Sequence, residues 1–185
     1  RQFYEELKIK LHNAGYITTE KLVNAIEYGV PQDRDRIILL GFYKPDLNQL
    51  NISKFNDAVL NFPWITHTQY PVDVLKKDWP TTAPFIENGL RGLDRNVPLD
   101  LTIQHWFLKN DVTNHLNATH HFQPRAGLSK FLRIDEGDVI GKSYKRLHRW
   151  RYSPTAAYGN NEVHVHPYKA RRLSASEALA IQSLP

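Results

Sequence analysis

The chain has 185 residues, 41% of them hydrophobic and 23% charged, with a net charge of +5, a composition ordinary for a globular protein. No apolar run approaches the ~20 residues a bilayer span requires, and residues 1–10 are charged and amphipathic rather than signal-like. There is no cysteine, which excludes a disulfide framework, a thiolate metal site and a thiol nucleophile within these residues. There is no methionine either, so the chain is expected to be a piece of a longer protein.

Phe3, Leu7, Leu11 and Ala14 recur at helical spacing, with Glu5, Glu6, Lys8 and Lys10 between them. This predicts a short amphipathic helix packed on a sheet and closed by Gly15. Residues 16–25 read as a strand. A stiff turn follows, because Gly29 takes a positive φ at no cost and Pro31 fixes its own. After it stand Gln32, Arg34 and Arg36 at alternate positions, then Ile37-Ile38-Leu39-Leu40-Gly41-Phe42. The apolar run predicts a strand over 36–43 buried on both faces. In extended chain Gln32, Arg34 and Arg36 share one face. On spacing alone two readings of that face stay open. One is surface ion pairing with Asp33 and Asp35, although those acids alternate with the arginines. The other is a pair of guanidiniums cradling a phosphate, a carboxylate or a base edge.

Lys44-Pro45-Asp46 marks a boundary, and the texture changes from there to about Gly141. Prolines recur, aromatics scatter and helical periodicity weakens, which predicts a loop-rich region with short strands. Residues 53–60 read as a short helix; residues 86–92 and 101–108 read as helix or strand. His115, His120 and His121 read as polar or phosphate-facing side chains, since metal spacing is poor and no cysteine is available. Arg125, Lys130 and Arg133 surround Gly127 and Ser129 and are candidates for phosphate contact.

The positive charge is concentrated at the end. From Ile140 onward eight lysines and arginines stand against two glutamates, whereas sixteen basic residues precede it against seventeen acidic ones. Lys142, Lys145, Arg146, Arg149 and Arg151 interleave with Tyr144, Trp150 and Tyr152. Such a stripe suits a polyanion: cations neutralise phosphates and rings pack on sugar or base. The alternative is a solvated basic face. His164 and His166 read as part of a strand. Ser174 and Glu177 form a capping box opening a helix over 175–183, with Pro185 as its stop.

Gly29-Val30-Pro31-Gln32-x-Arg34-x-Arg36 before an apolar strand resembles the Gln-x-Arg-x-Arg motif of DNA (cytosine-5)-methyltransferases. Arg171-Arg172-Leu173-Ser174-x-x-Glu177-Ala178 with Gln182-Ser183-x-Pro185 is similar to the family's ninth motif. Tyr144-Lys145-Arg146-Leu147 is followed by Ser153-Pro154-Thr155, a partial match to a further family pattern in which Tyr152 replaces a proline. The resemblance implies an α/β fold: closing strands of a Rossmann-like methyltransferase sheet plus a loop-rich, mainly β target recognition domain. It divides the chain into the end of the catalytic domain (1–44), the recognition domain (45–141) and a basic DNA-contacting segment with the bracing ninth-motif helix (142–185). Arg171 or Arg172 is expected to contribute to that bracing.

By the same resemblance, Arg36 is expected to contact O2 of a flipped cytosine. Arg34 is expected to orient the pocket's acidic residue or hold a phosphate, and Gln32 to hold the turn or touch the DNA backbone. S-adenosylmethionine is the implied methyl donor, bound by residues outside this chain. Double-stranded DNA is the implied partner, with a cognate restriction endonuclease as a further one, in the bacterial cytoplasm and with no membrane. The fragment alone is expected to be inactive. A non-catalytic DNA-binding specificity module, a tRNA cytosine-5-methyltransferase and a plain interaction domain with Arg34 and Arg36 in surface ion pairs are the rival readings.

Overall fold

The computed structural model describes residues 2–49, 62–93, 96–121, 128–141, 143–155 and 163–185. The expected helix over 53–60 lies outside them, as do Arg125 and Lys142. The architecture is mixed α/β and forms two compact units. One holds Arg1–Val23 and Asp35–Thr68; the other holds Asn24–Arg34 and Gln69–Pro185.

In the first unit α1 (Gln2–Asn13) leads into β1 (Tyr16–Asn24), which pairs with β3 (Asp35–Tyr43) as a two-stranded sheet. Gly15 turns the chain at φ 92°, with the Tyr43 ring against it. Its carbonyl accepts from Lys44 N at 3.0 Å, at the start of α2 (Lys44–Gln49). Helix α1 meets β1 through polar groups: Tyr4 Oη donates to Glu20 at 2.5 Å and Lys8 Nζ at 3.3 Å.

Two expectations change here. Helix α1 has no buried residue, and Phe3 is 77% exposed. Ile37 and Ile38 on β3 are also exposed, rather than covered on both faces. The reason is architectural. An apolar run is buried on both faces only when layers cover both sides of its sheet, and the described residues of this unit supply one two-stranded sheet and short helices.

The second unit carries the cores. Helix α3 (Ile103–Lys109) is capped by Thr102, whose Oγ1 accepts from His105 N. Ile103 and Phe107, four apart on one face, pack with Leu147, Leu173, Ala180 and Ile181. Ile26, Val74 and Leu101 form a second cluster; Phe131, Val163 and Val165 form a third. The third joins α4 (Leu128–Arg133) to β6 (Val163–Val165), which pairs parallel with β4 (Tyr144–Arg146). The chain ends in α5 (Ala175–Ala180), where the Ser174–Glu177 capping box forms as expected. Between residues 69 and 141 the described chain is short helices and irregular loops, with β pairing confined to bridges such as Ala83 with Glu136. Residues 86–92 form a loop, neither helix nor strand.

Candidate functional site

Site geometry starts at the turn 24–34, in the second unit. Asn24 ties both ends of it. Its Oδ1 accepts from Ile26 N and from Arg34 N, each at 3.1 Å, and its Nδ2 donates to Asp33 Oδ1 at 2.7 Å. Glu27 reaches back to Asn24 N, completing a capping box on the short helix Ala25–Tyr28. Gly29 closes that helix at φ 81°, and Gln69 fills the space a Cβ would need. The left-handed φ is what favours glycine here.

Strand β2 (Gln32–Asp33) then pairs parallel with β5 (Ser153–Pro154), with Gln32 opposite Ser153. Ser153 N donates to Pro31 O at 2.8 Å and Thr155 Oγ1 to Asp33 O at 2.8 Å. Two stretches 121 residues apart are thereby clamped together. Asn24, Ser153 and Thr155 were not singled out from the sequence. The partial Ser-Pro-Thr match was the one signal that pointed to the last two.

The three motif side chains sit in three environments. Gln32 is 1% exposed; its Oε1 lies 3.5 Å from Arg34 Nη1, and its Nε2 has no hydrogen-bond partner among the described residues. Arg34 is half-buried. Arg36, in the other unit, is exposed, with Nη1 donating to Asp35 O at 2.6 Å. Arg34 lies in neither β2 nor β3, so the unbroken strand on which the i, i+2, i+4 expectation rested is interrupted there. The Asp33 carboxylate accepts from Asn24 Nδ2 and, among the described residues, from no surface arginine. Beside β2 and β5 lies a cavity of about 130 Å³ lined by Asp33, His148, Arg151, Tyr152 and Pro154.

Of the basic residues expected on DNA, two face inward. Arg146 is fully buried and donates to four backbone carbonyls, those of Phe131, Ile134, His166 and Lys169, with the Phe85 ring 3.7 Å away. Burial lowers its guanidinium to about 10, still charged at neutral pH. Arg149 grips buried Glu136 with Nε at 2.8 Å and Nη2 at 2.9 Å, and donates to Gly89 O at 2.7 Å. Burial pushes the Glu136 carboxyl up, but the hydrogen bonds and charge of Arg149 outweigh it and hold the group below its usual range. A planar fork of donors can staple several loops at once, so the basic stripe is partly scaffold. Lys130 and Arg133 on α4 are exposed, and Lys145 and Arg151 half-buried. These four keep a surface position.

At the chain's end Arg171 bonds Glu177 with both nitrogens at 2.7 Å, and His166 Nε2 lies 3.4 Å from the same carboxylate. Burial works to raise Glu177; Arg171 and His166 press it well below the carboxylate range. Arg171 thereby binds the capping-box glutamate of α5, and Arg172 lines a cavity with His120 and His164. His115 and His120 close their own turn through Asn117. Among the described residues no helix is long and apolar enough to cross a membrane.

A family model described as C-5 cytosine-specific DNA methylase matches residues 1–185. The chain is 58% identical over 185 residues to the type II methyltransferase M.NmeDI of Neisseria meningitidis serogroup C, covering all of this chain and 41% of that protein. It is 24% identical to M.DdeI of Desulfomicrobium norvegicum, covering all of this chain and 48% of the relative. It is 29% identical to M.MthTI of Methanothermobacter thermautotrophicus, covering 92% and 46%. The chain therefore spans less than half the length of each of these relatives. With the motif turn clamped onto the Ser-Pro-Thr segment and the capped terminal helix braced by Arg171, the match along every residue settles the assignment: the chain belongs to the C-5 cytosine-specific DNA methylase family.

Proposed function

We propose that this chain is the DNA-recognition half of a sequence-specific DNA (cytosine-5)-methyltransferase. The family match over residues 1–185 is the observation that supports this above all. In the proposed division, residues 1–44 close the catalytic domain, 45–141 read the DNA, and 142–185 contact it and brace the reader. The cysteine nucleophile comes from outside the chain, which has none.

Arg36 is the residue proposed to act at the reacting base. A thiolate attack at cytosine C6 drives electron density onto the ring, including O2. A guanidinium at O2 binds the transition state more tightly than the ground state and so accelerates the step. Exposure of Arg36 leaves it available for this contact. Arg34 orients the acidic group of the pocket or holds a neighbouring phosphate, and Gln32 holds the turn. Extruding the base costs a few kcal/mol, offset by the pocket that receives it. Lys130, Arg133, Lys145 and Arg151 supply phosphate contacts, with Arg125 and Lys142 as further cations of the same stripe.

S-adenosylmethionine supplies the methyl group. Among the described residues, the glycine-rich segment at Gly89 and Gly92 is a loop bordered by Arg91 and Trp150, not a strand end facing an acidic side chain, so it does not fit this donor and no residue of the chain is assigned to it. The family description, a C-5 cytosine-specific DNA methylase, supports DNA as the partner; a cognate restriction endonuclease and a place in the bacterial cytoplasm are proposed beside it.

The test is transfer of a labelled methyl group from S-adenosylmethionine to duplex DNA or to tRNA. The full-length protein labels cytosine in duplex DNA and spares tRNA, and residues 1–185 alone label neither. Labelling of tRNA, or activity of the 185 residues alone, overturns the proposal.

A further inference from the structure

The loop 86–93 combines a fixed backbone with an uncovered apolar tip. Asn88, at φ 54°, and Gly89 form its turn, with Gly89 N donating to Ile86 O at 3.0 Å. The backbone is then held on several sides. Asn88 N donates to Tyr168 O at 2.7 Å, Arg149 Nη1 to Gly89 O at 2.7 Å, and Trp150 Nε1 to Arg91 O at 3.0 Å. Arg149 is itself locked onto buried Glu136, which also receives Arg91 Nε at 3.3 Å. An interior ion pair whose remaining donor is spent on a surface loop acts as that loop's anchor.

What the anchored backbone presents is apolar and bare. Leu90 is fully exposed, Ile86 is 62% exposed, and among the described residues no atom lies within 4 Å of where a Cβ on Gly92 would stand. A cavity of about 460 Å³ opens beside them, lined by Leu90, Arg91, Leu108 and Trp150. Single exposed leucines need no explanation. Leu90, on a loop fixed from beneath, and Leu108 of α3 around one concavity do. Lys109, next to Leu108 in the chain, is exposed, its Nζ 4.1 Å from the Trp106 ring, while Arg91 is spent on Glu136 and on Pro84 O.

We infer that loop 86–93 is a base-reading element of the recognition domain, with Leu90 and the bare backbone at Gly92 meeting a base-pair edge of duplex DNA while the exposed Lys109 faces the phosphates beside it. The inference rests on the reading of the chain as a DNA-recognition half. A thymine methyl is read by apolar contact, discrimination requires that the contacting atoms be held in place, and a glycine lets the backbone approach closely.

The test is bisulfite sequencing of a randomised plasmid library after exposure to the full-length enzyme, wild type and three variants. Gly92→Ala is the sharpest variant, since the added methyl meets nothing among the described residues and acts on what docks against the loop. Leu90→Ala removes the tip, and Leu116→Ala, 94% exposed elsewhere, is the comparison. Melting temperatures of all three match wild type. Gly92→Ala and Leu90→Ala relax the methylated consensus at one or two positions by about tenfold in discrimination, and Leu116→Ala leaves it intact. An unchanged consensus in both loop variants, or equal relaxation in Leu116→Ala, overturns the inference. So does a uniform loss of methylation with the consensus preserved, which marks the loop as a general contact. No 5-methylcytosine from the wild type sinks the broader reading and this one with it.

Discussion

Arg146 shows how far residue type alone can be read. Its neighbours Lys145, Arg149 and Arg151 and the interleaved aromatics suggest a phosphate-binding stripe, yet its guanidinium is spent on four carbonyls. A single sequence reveals that a residue is cationic; it does not reveal whether loop carbonyls far along the chain converge on it. Stability separates the roles. Arg146→Ala and Arg146→Lys both lose more than about 3 kcal/mol in urea unfolding, since each buried carbonyl left unpaired costs ~1–3 kcal/mol and lysine lacks the planar fork. Wild-type stability in either variant contradicts the scaffold role. Gln32, Arg34 and Arg36 were legible as a group from their spacing. Their separate environments were not, because the break in the pleat at Arg34 depends on what β2 pairs with.

Elements with a local signature were the legible ones. The Ser174–Glu177 box, the Gly15 and Gly29 turns, β1 and β3 all stand within a residue or two of where pattern places them. Residues 86–92 defeated the pattern because their conformation is imposed by Arg149, Trp150 and Tyr168. The turn 24–34 is held by Asn24, whose side chain bonds Ile26, Arg34 and Asp33. Asn24→Ala is expected to cost about 2 kcal/mol, more than an ordinary cap, since one side chain serves both ends. Urea titration checks it, and a cost below ~0.5 kcal/mol contradicts the clamp.

At the scale of the whole molecule, burial of charge-poor histidines sets the acid limit. His148, His164 and His166 are each lowered by burial from 6.5 to about 4. Between those values the unfolded chain binds more protons than the folded one. Stability therefore falls as pH drops from 6.5 toward 4, by up to ~3 kcal/mol per histidine, and is flat above that window. The depressed Glu177 adds a loss at lower pH still, once its ordinary value of 4.5 is passed. A melting temperature that holds steady from pH 7 down to 4.5 contradicts this. The uncovered sheet of the first unit was foreseen as buried because Ile37-Ile38-Leu39-Leu40 carries the signature of a covered strand; the described residues provide no such cover. The central claim concerns what Arg36 does from its exposed position on β3. The most direct measurement is the rate of methyl transfer to duplex DNA by the full-length protein carrying Arg36→Ala. The account predicts a rate lower by at least about a hundredfold at unchanged melting temperature; a rate within about twofold of wild type contradicts it.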